Sequence, residues 1–150
     1  MKYTKSIVHG GRILAIILYR DYCGEGIQFF TPNEFSQQLG YMNRPKGYVI
    51  LPHVHNSIPR EVQYTKEVLF IKSGKVRVDF YDDNKDYIES GILREGDVIL
   101  LAHGGHGFEM LEPTEMIEVK QGPYAKESDK FRFNPISLDQ IQIKYWNSTT

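Results

Sequence analysis

His53 and His55 stand one residue apart at the head of HVHNSIPREVQYTKEVLFIKSG, and eleven residues separate His55 from Glu67. On a strand over 48–55 the two imidazoles share a face with Val49 and Leu51, because strand side chains alternate. Such a pair alone is ordinarily a core or surface feature. Glu67 changes the reading. On its own strand it shares a face with Leu69 and Ile71, and a carboxylate in apolar company is costly unless it is paired or bound to a cation. Downstream, GDVILLAHGGHGFEM places His106 on a face with Phe108 and Met110. Three imidazoles and one carboxylate are donors for a divalent transition metal such as Fe, Mn, Ni, Zn or Cu.

The elements that must position these groups read as short strands. Stretches 12–19, 26–31, 48–55, 67–73, 75–81, 87–93, 97–101, 106–111 and 115–120 are rich in β-branched and aromatic residues and bounded by Gly, Pro, Asn or Asp. Turn chemistry falls between them at Ser73-Gly74, at Asp82-Asp83-Asn84 and at Arg94-Glu95-Gly96-Asp97. Only 33–39 (NEFSQQL) reads as a short helix, entered through Thr31-Pro32. Residues 121–130 read as a loop and ISLDQIQIKYW as a final strand or tail. The expected class is all-β, a sandwich or barrel with one short helix.

Composition bounds the function. A chain of 150 residues, 41% apolar, is the size of one domain with one core. A formal net charge of −1 without long blocks of one sign argues against nucleic-acid or acidic-membrane partners. The longest apolar run, ILAIIL at 13–18, is far short of a membrane helix, and MKYTKSIVHGGR lacks the apolar stretch of a signal peptide. With the lone Cys23, read as structural or incidental, this points to the cytoplasm. Because both faces of 13–18 are apolar, and open sheets leave edges exposed, that strand is expected to pack against a partner subunit in a homodimer.

The motifs resemble the cupin superfamily, small double-stranded β-helix barrels also called jelly rolls. Its first motif is written G-x5-H-x-H-x(3,4)-E-x6-G. Here Gly47 is followed by YVILP and then His53, Val54 and His55; Glu67 is followed by VLFIKS and then Gly74. The connection NSIPREVQYTK is longer than the usual three or four residues and admits Glu61 as a rival ligand, but only Glu67 keeps the x6 spacing to the glycine. The second motif, G-x5-P-x-G-x2-H-x3-N, is matched more loosely. Gly96 is followed by DVILL, Ala102 replaces Pro, His106 comes one residue early and Met110 stands for Asn. His106 is preferred as fourth ligand over His103, which sits in the Ala-His-Gly-Gly turn as a ligand-facing or solvent group.

The resemblance implies a cupin barrel over about 44–120, N-terminal strands at 12–31 and a tail at 121–150. It further implies one divalent metal held by His53, His55, Glu67 and His106. The long spacer is expected at the barrel mouth. There Arg60, Gln63, His103, Lys120 and Tyr124, together with Gln121, offer hydrogen bonds to a small polar ligand such as a sugar or sugar phosphate. Glu61 is the expected base and Tyr64 the expected acid. The sequence is similar to small cupins of sugar and surface-polysaccharide metabolism, which implies an isomerase or epimerase. A metal-dependent dioxygenase and a ligand-binding cupin without turnover are the alternatives.

Overall fold

A computed structural model of the protein describes residues 3–123, 125 and 129–144. The chain divides into two compact units, one of Met1–Tyr22 with Thr65–Thr150, the other of Cys23–Tyr64.

The first unit is built from two antiparallel sheets. A hairpin of β1 (Thr4–His9) and β2 (Arg12–Leu18) turns at Gly10-Gly11, both at positive φ, as a tight turn between twisted strands requires. β5 (Glu67–Ser73), β8 (Val98–Leu101) and β10 (Glu115–Lys120) complete a five-stranded sheet in the order β1-β2-β8-β5-β10. The second sheet holds β6 (Lys75–Tyr81), β7 (Tyr87–Arg94) and β9 (Gly105–Met110) in the order β7-β6-β9. Gly74, at φ +84°, lets β5 turn directly into β6; a Cβ there would lie 2.2 Å from the carbonyl oxygen of Pro113.

The inner faces follow from strand parity. Ile7, Ala15, Ile17, Leu69, Ile71, Ile99 and Leu101 from the first sheet form one buried cluster with Val76, Val78, Phe80 and Leu93 from the second. Each such aliphatic or aromatic side chain contributes roughly 1.5–3 kcal/mol of burial. At one end Asp97, 3% exposed, accepts hydrogen bonds from the backbone N–H of Arg20 (3.0 Å) and of Arg94 (2.9 Å), tying the entry to β8 to two neighbouring chain segments. Its burial pushes the carboxyl pKa up against those two bonds. A C-terminal strap runs beside β7, where the backbone N–H of Ser90 donates to Gln142 and that of Lys144 to Ser90.

The second unit contains the hairpin of β3 (Gly26–Phe29) and β4 (Gly40–Asn43). The helix expected over 33–39 does not form. Gln38 Nε2 instead donates to the carbonyls of Pro32 (2.9 Å) and Phe35 (2.8 Å), oxygens a helix would need for its own ladder. Leu138–Gln140 forms a three-residue 3₁₀ turn. The strand expected over 48–55 is also missing, since 44–64 holds no regular element and every residue in it is exposed.

The described residues are therefore nearly all-β with antiparallel sheets, and those sheets are not closed into a barrel. No helix among them is long and apolar enough to cross a membrane. β2, which carries the apolar run 13–18, is an interior strand of its sheet, with Ala15 and Ile17 in the core and Ile16 and Leu18 also buried.

Candidate functional site

Glu67 opens β5 and points inward with Leu69 and Ile71, opposite Leu101 on β8 and Lys120 on β10. His106, the second residue of β9, lies opposite Phe80 on β6 and so points inward from the other sheet. The two meet across the sandwich, with His106 Nε2 at 3.1 Å from Glu67 Oε2. The imidazole also lies against the Phe108 ring, centroid to centroid 5.4 Å.

Two ammonium groups complete the cluster. Lys120 Nζ and Lys130 Nζ each stand 3.7 Å from Glu67 Oε1, and Lys120 makes its short contact, 3.0 Å, with Glu118. The hydrogen bond from His106, with the positive charges of His106, Lys130 and Lys120, outweighs burial and lowers the Glu67 pKa to about 2. An ionised carboxylate can only accept, so His106 carries a proton on Nε2 and the bond fixes the ring's orientation.

The 3.1 Å separation is that of the hydrogen bond, and it is also one that two ligands of one ion could adopt. Donors each about 2.1 Å from a metal and at right angles to one another stand about 3 Å apart. Glu67 and His106 are residue types that could each supply one donor to a divalent metal. Binding would require His106 to give up its Nε2 proton.

The other expected ligands belong to the second unit. His53 and His55 lie in the exposed stretch 44–64, their rings 5.3 Å apart and nearly perpendicular, with His53 Nδ1 3.0 Å from the Leu51 carbonyl. Among the described residues no group of three or more His, Cys, Asp or Glu side chains is placed to hold a metal ion.

Arg60, Glu61, Gln63 and Tyr64 lie in the same exposed stretch. Arg60 donates to the Ile58 carbonyl at 3.4 Å and Gln63 to Glu61 at 3.2 Å, so Glu61 is held by its own loop. Gln121 Oε1 accepts from the backbone N–H of Lys66 at 2.6 Å, a brace at the start of β5. Tyr124 lies outside the described residues. His103 sits in the β8–β9 turn with its Nε2 2.9 Å from Asp83 Oδ2 and 2.9 Å from an Arg12 nitrogen, in a cluster of its own.

Lys130 is the site residue that sequence reasoning missed. It stands in a polar loop ten residues beyond Lys120, and no periodicity or spacing ties it to Glu67. Only the return of the chain, where Thr65 donates to Asp129 at 3.0 Å, brings it there. No family model matches the chain, and neither does any curated protein or solved structure.

Proposed function

We propose that the protein is a metal-binding cupin acting as an isomerase or epimerase on a small carbohydrate-like substrate. The observation that carries this reading is the Glu67–His106 couple, a carboxylate and an imidazole 3.1 Å apart on the inner faces of two sheets, with ammonium groups beside them. Buried, mutually oriented titratable groups of this kind concentrate where proton transfer or ligand binding is done.

In this reading His53 and His55 complete the metal shell begun by Glu67 and His106. Val49, Leu51 and Val54 in the histidine-bearing stretch are 71%, 76% and 90% exposed. Apolar groups so exposed in one extended stretch call for a covering surface. A divalent metal held by the four would polarise a substrate carbonyl or diol and acidify the adjacent C–H. Lys120 would donate to a substrate oxygen, and Glu61 and Tyr64 are the proposed base and acid.

The test is metal analysis of untagged protein, followed by a sugar panel turned over anaerobically in deuterium oxide. Stoichiometric metal that is lost in His53→Ala and Glu67→Gln, with solvent deuterium entering the product, is the expected result. Protein without metal, and a panel without exchange, would overturn the proposal. Product formed only with matching oxygen uptake would replace it with a dioxygenase.

A further inference from the structure

β10 ends the five-stranded sheet, and among the described residues no strand lies along its other edge. The backbone groups on such an edge are a template for a further strand. Parity puts Val68 and Phe70 on the face of β5 opposite the core residues Leu69 and Ile71, and the register sets Val119 of β10 beside Val68 and Ile117 beside Phe70. Phe70, Ile117 and Val119 are 40%, 53% and 58% exposed, so an apolar patch runs to the open edge itself. The other end strands of this unit differ. β1 sets Thr4 and Ser6 on the outer face, β7 is bridged by the strap at Ile143, and β9 carries Gly105, Gly107 and Glu109 outward.

The sequence of the edge, EMIEVK, decides what fits it. A second β10 laid antiparallel about a two-fold axis through Glu118, perpendicular to the sheet, keeps the outer faces of both copies on one side. Ile117 then lies opposite Val119 of the second copy, and Val119 opposite its Ile117. Through the existing ladders each row runs from Val98, Phe70 and Ile117 into Val119, Val68 and Leu100 of the second copy, apolar throughout. On the other face the two Glu118 side chains meet, which alone is unfavourable. Each has Lys120 of its own strand at 3.0 Å and Lys120 of the other copy on the diagonal, so the four charges alternate in sign and cancel. A slip of two residues sets Glu115 on Val119 and Glu118 on Met116, charge against apolar group on both faces.

We infer that β10 is an interface for a second copy of this chain. Two copies join edge to edge through antiparallel β10 strands centred on Glu118, and their five-stranded sheets become one continuous sheet. The pairing is isologous, so it closes at two copies and leaves neither β10 edge open. The homodimer is thereby assigned to β10 and not to the run 13–18, which lies on an interior strand. This inference is independent of the metal and of the isomerase reading.

The experiment uses the full chain, with mass read by light scattering over a micromolar concentration series. The expected mass is twice the 17.4 kDa of one chain. Ile117→Lys and Val119→Lys should each raise the dissociation constant at least tenfold. Val119→Thr, which a strand accepts readily, should raise it less, and thermal melts report whether each variant is folded. The register is read separately. Residues directly opposite in an antiparallel pair have Cα atoms about 4.5–5.5 Å apart, within reach of a disulfide. Glu118→Cys in a Cys23→Ser background should therefore give a disulfide-linked dimer on mild oxidation, and Ser6→Cys on β1 in the same background should not. A monomer at every concentration, a mass above that of the dimer, a dimer unaffected by both lysine substitutions, or a dimer that Glu118→Cys does not cross-link would each overturn the inference.

Discussion

The two halves of the expected metal shell come from regions held by different physics. Glu67 and His106 sit on strands whose register is fixed by neighbours on both sides, Leu101 and Lys120 for the one and Phe80 for the other, and their side chains meet within hydrogen-bonding distance. His53 and His55 sit in a stretch of the second unit with no strand partner, every residue from 44 to 64 exposed. In the first region position follows from pairing and burial. In the second the same residue types have only local chain geometry to place them. Motif spacing is therefore worth as much as the ladder that enforces it.

The most direct way to break this contrast is to compare stability losses. Phe80→Ala removes a ring 1% exposed between the sheets and should cost about 3–5 kcal/mol in urea unfolding. Leu51→Ser or Val54→Ser in EDTA-treated protein should change stability by less than about 0.5 kcal/mol. A loss above about 1 kcal/mol from either would mean that the stretch is packed without a metal, and the contrast would collapse.

This contrast also separates what was legible in the sequence from what was not. The ends of β5, β6 and β10 follow from composition and turns alone, because Ser73-Gly74 and the flanking β-branched runs leave few registers that bury Leu69, Ile71, Val76 and Val78 together. The E-x6-G spacing was readable for the same reason, since it spans one strand and its turn. Parity over 48–55 misled because alternation predicts a shared face only where a neighbour enforces the strand. Here YVILP offers apolar groups to both faces, and Pro52 removes a backbone donor. β1 was missed as short and half polar, TKSIVH, and β4 as GYMN, too brief for periodicity. Lys130 was beyond reach because its approach to Glu67 is purely tertiary.

A second comparison is within the sheet unit, between a carboxylate bound by backbone and one bound by side chains. Asp97 accepts two backbone N–H bonds where segments join, and truncating it leaves both donors unpaired in a buried turn. Asp97→Ala should cost about 2 kcal/mol, measurable as a shift of the urea midpoint at unchanged slope. Asp97→Asn keeps one acceptor and sets an amide donor against the other backbone N–H, so it should recover only part of that loss; full recovery would show that one of the two bonds is dispensable.

Glu67 should behave in the opposite way, through charge. Its pKa is lowered from 4.5 to about 2 by the hydrogen bond from His106 and by the surrounding positive charge. A depressed acid contributes stability that is fully present above its unfolded pKa, about 4.5, and is lost as pH falls towards 2. Glu67→Gln should therefore be less stable than wild type by roughly 1–2 kcal/mol at pH 7, a value discounted for solvent screening. The gap should narrow below pH 4.5 and close near pH 2. A gap that stays constant across this range would assign Glu67 a packing role instead of an electrostatic one.

The smallest effect is expected at the histidine that sequence alone left as the rival to His106. His103 Nε2 lies 2.9 Å from Asp83 Oδ2, but an Arg12 guanidinium nitrogen stands 2.9 Å from the same ring atom and 3.0 Å from the same carboxylate oxygen. A cation approaching His103 there would meet a fixed positive charge, and Asp83 is already neutralised by Arg12. The trio is also largely at the surface, with the Arg12 and Asp83 side chains 65% and 54% exposed, where ion pairs contribute little. His103→Gln should thus alter stability by less than about 0.5 kcal/mol and leave metal uptake, measured by calorimetric titration, as in wild type. His106→Gln should abolish or strongly weaken uptake, since it removes a donor 3.1 Å from Glu67. The reverse pattern would move the fourth ligand to the β8–β9 turn, and with it the centre of the site away from the inner face of the sandwich.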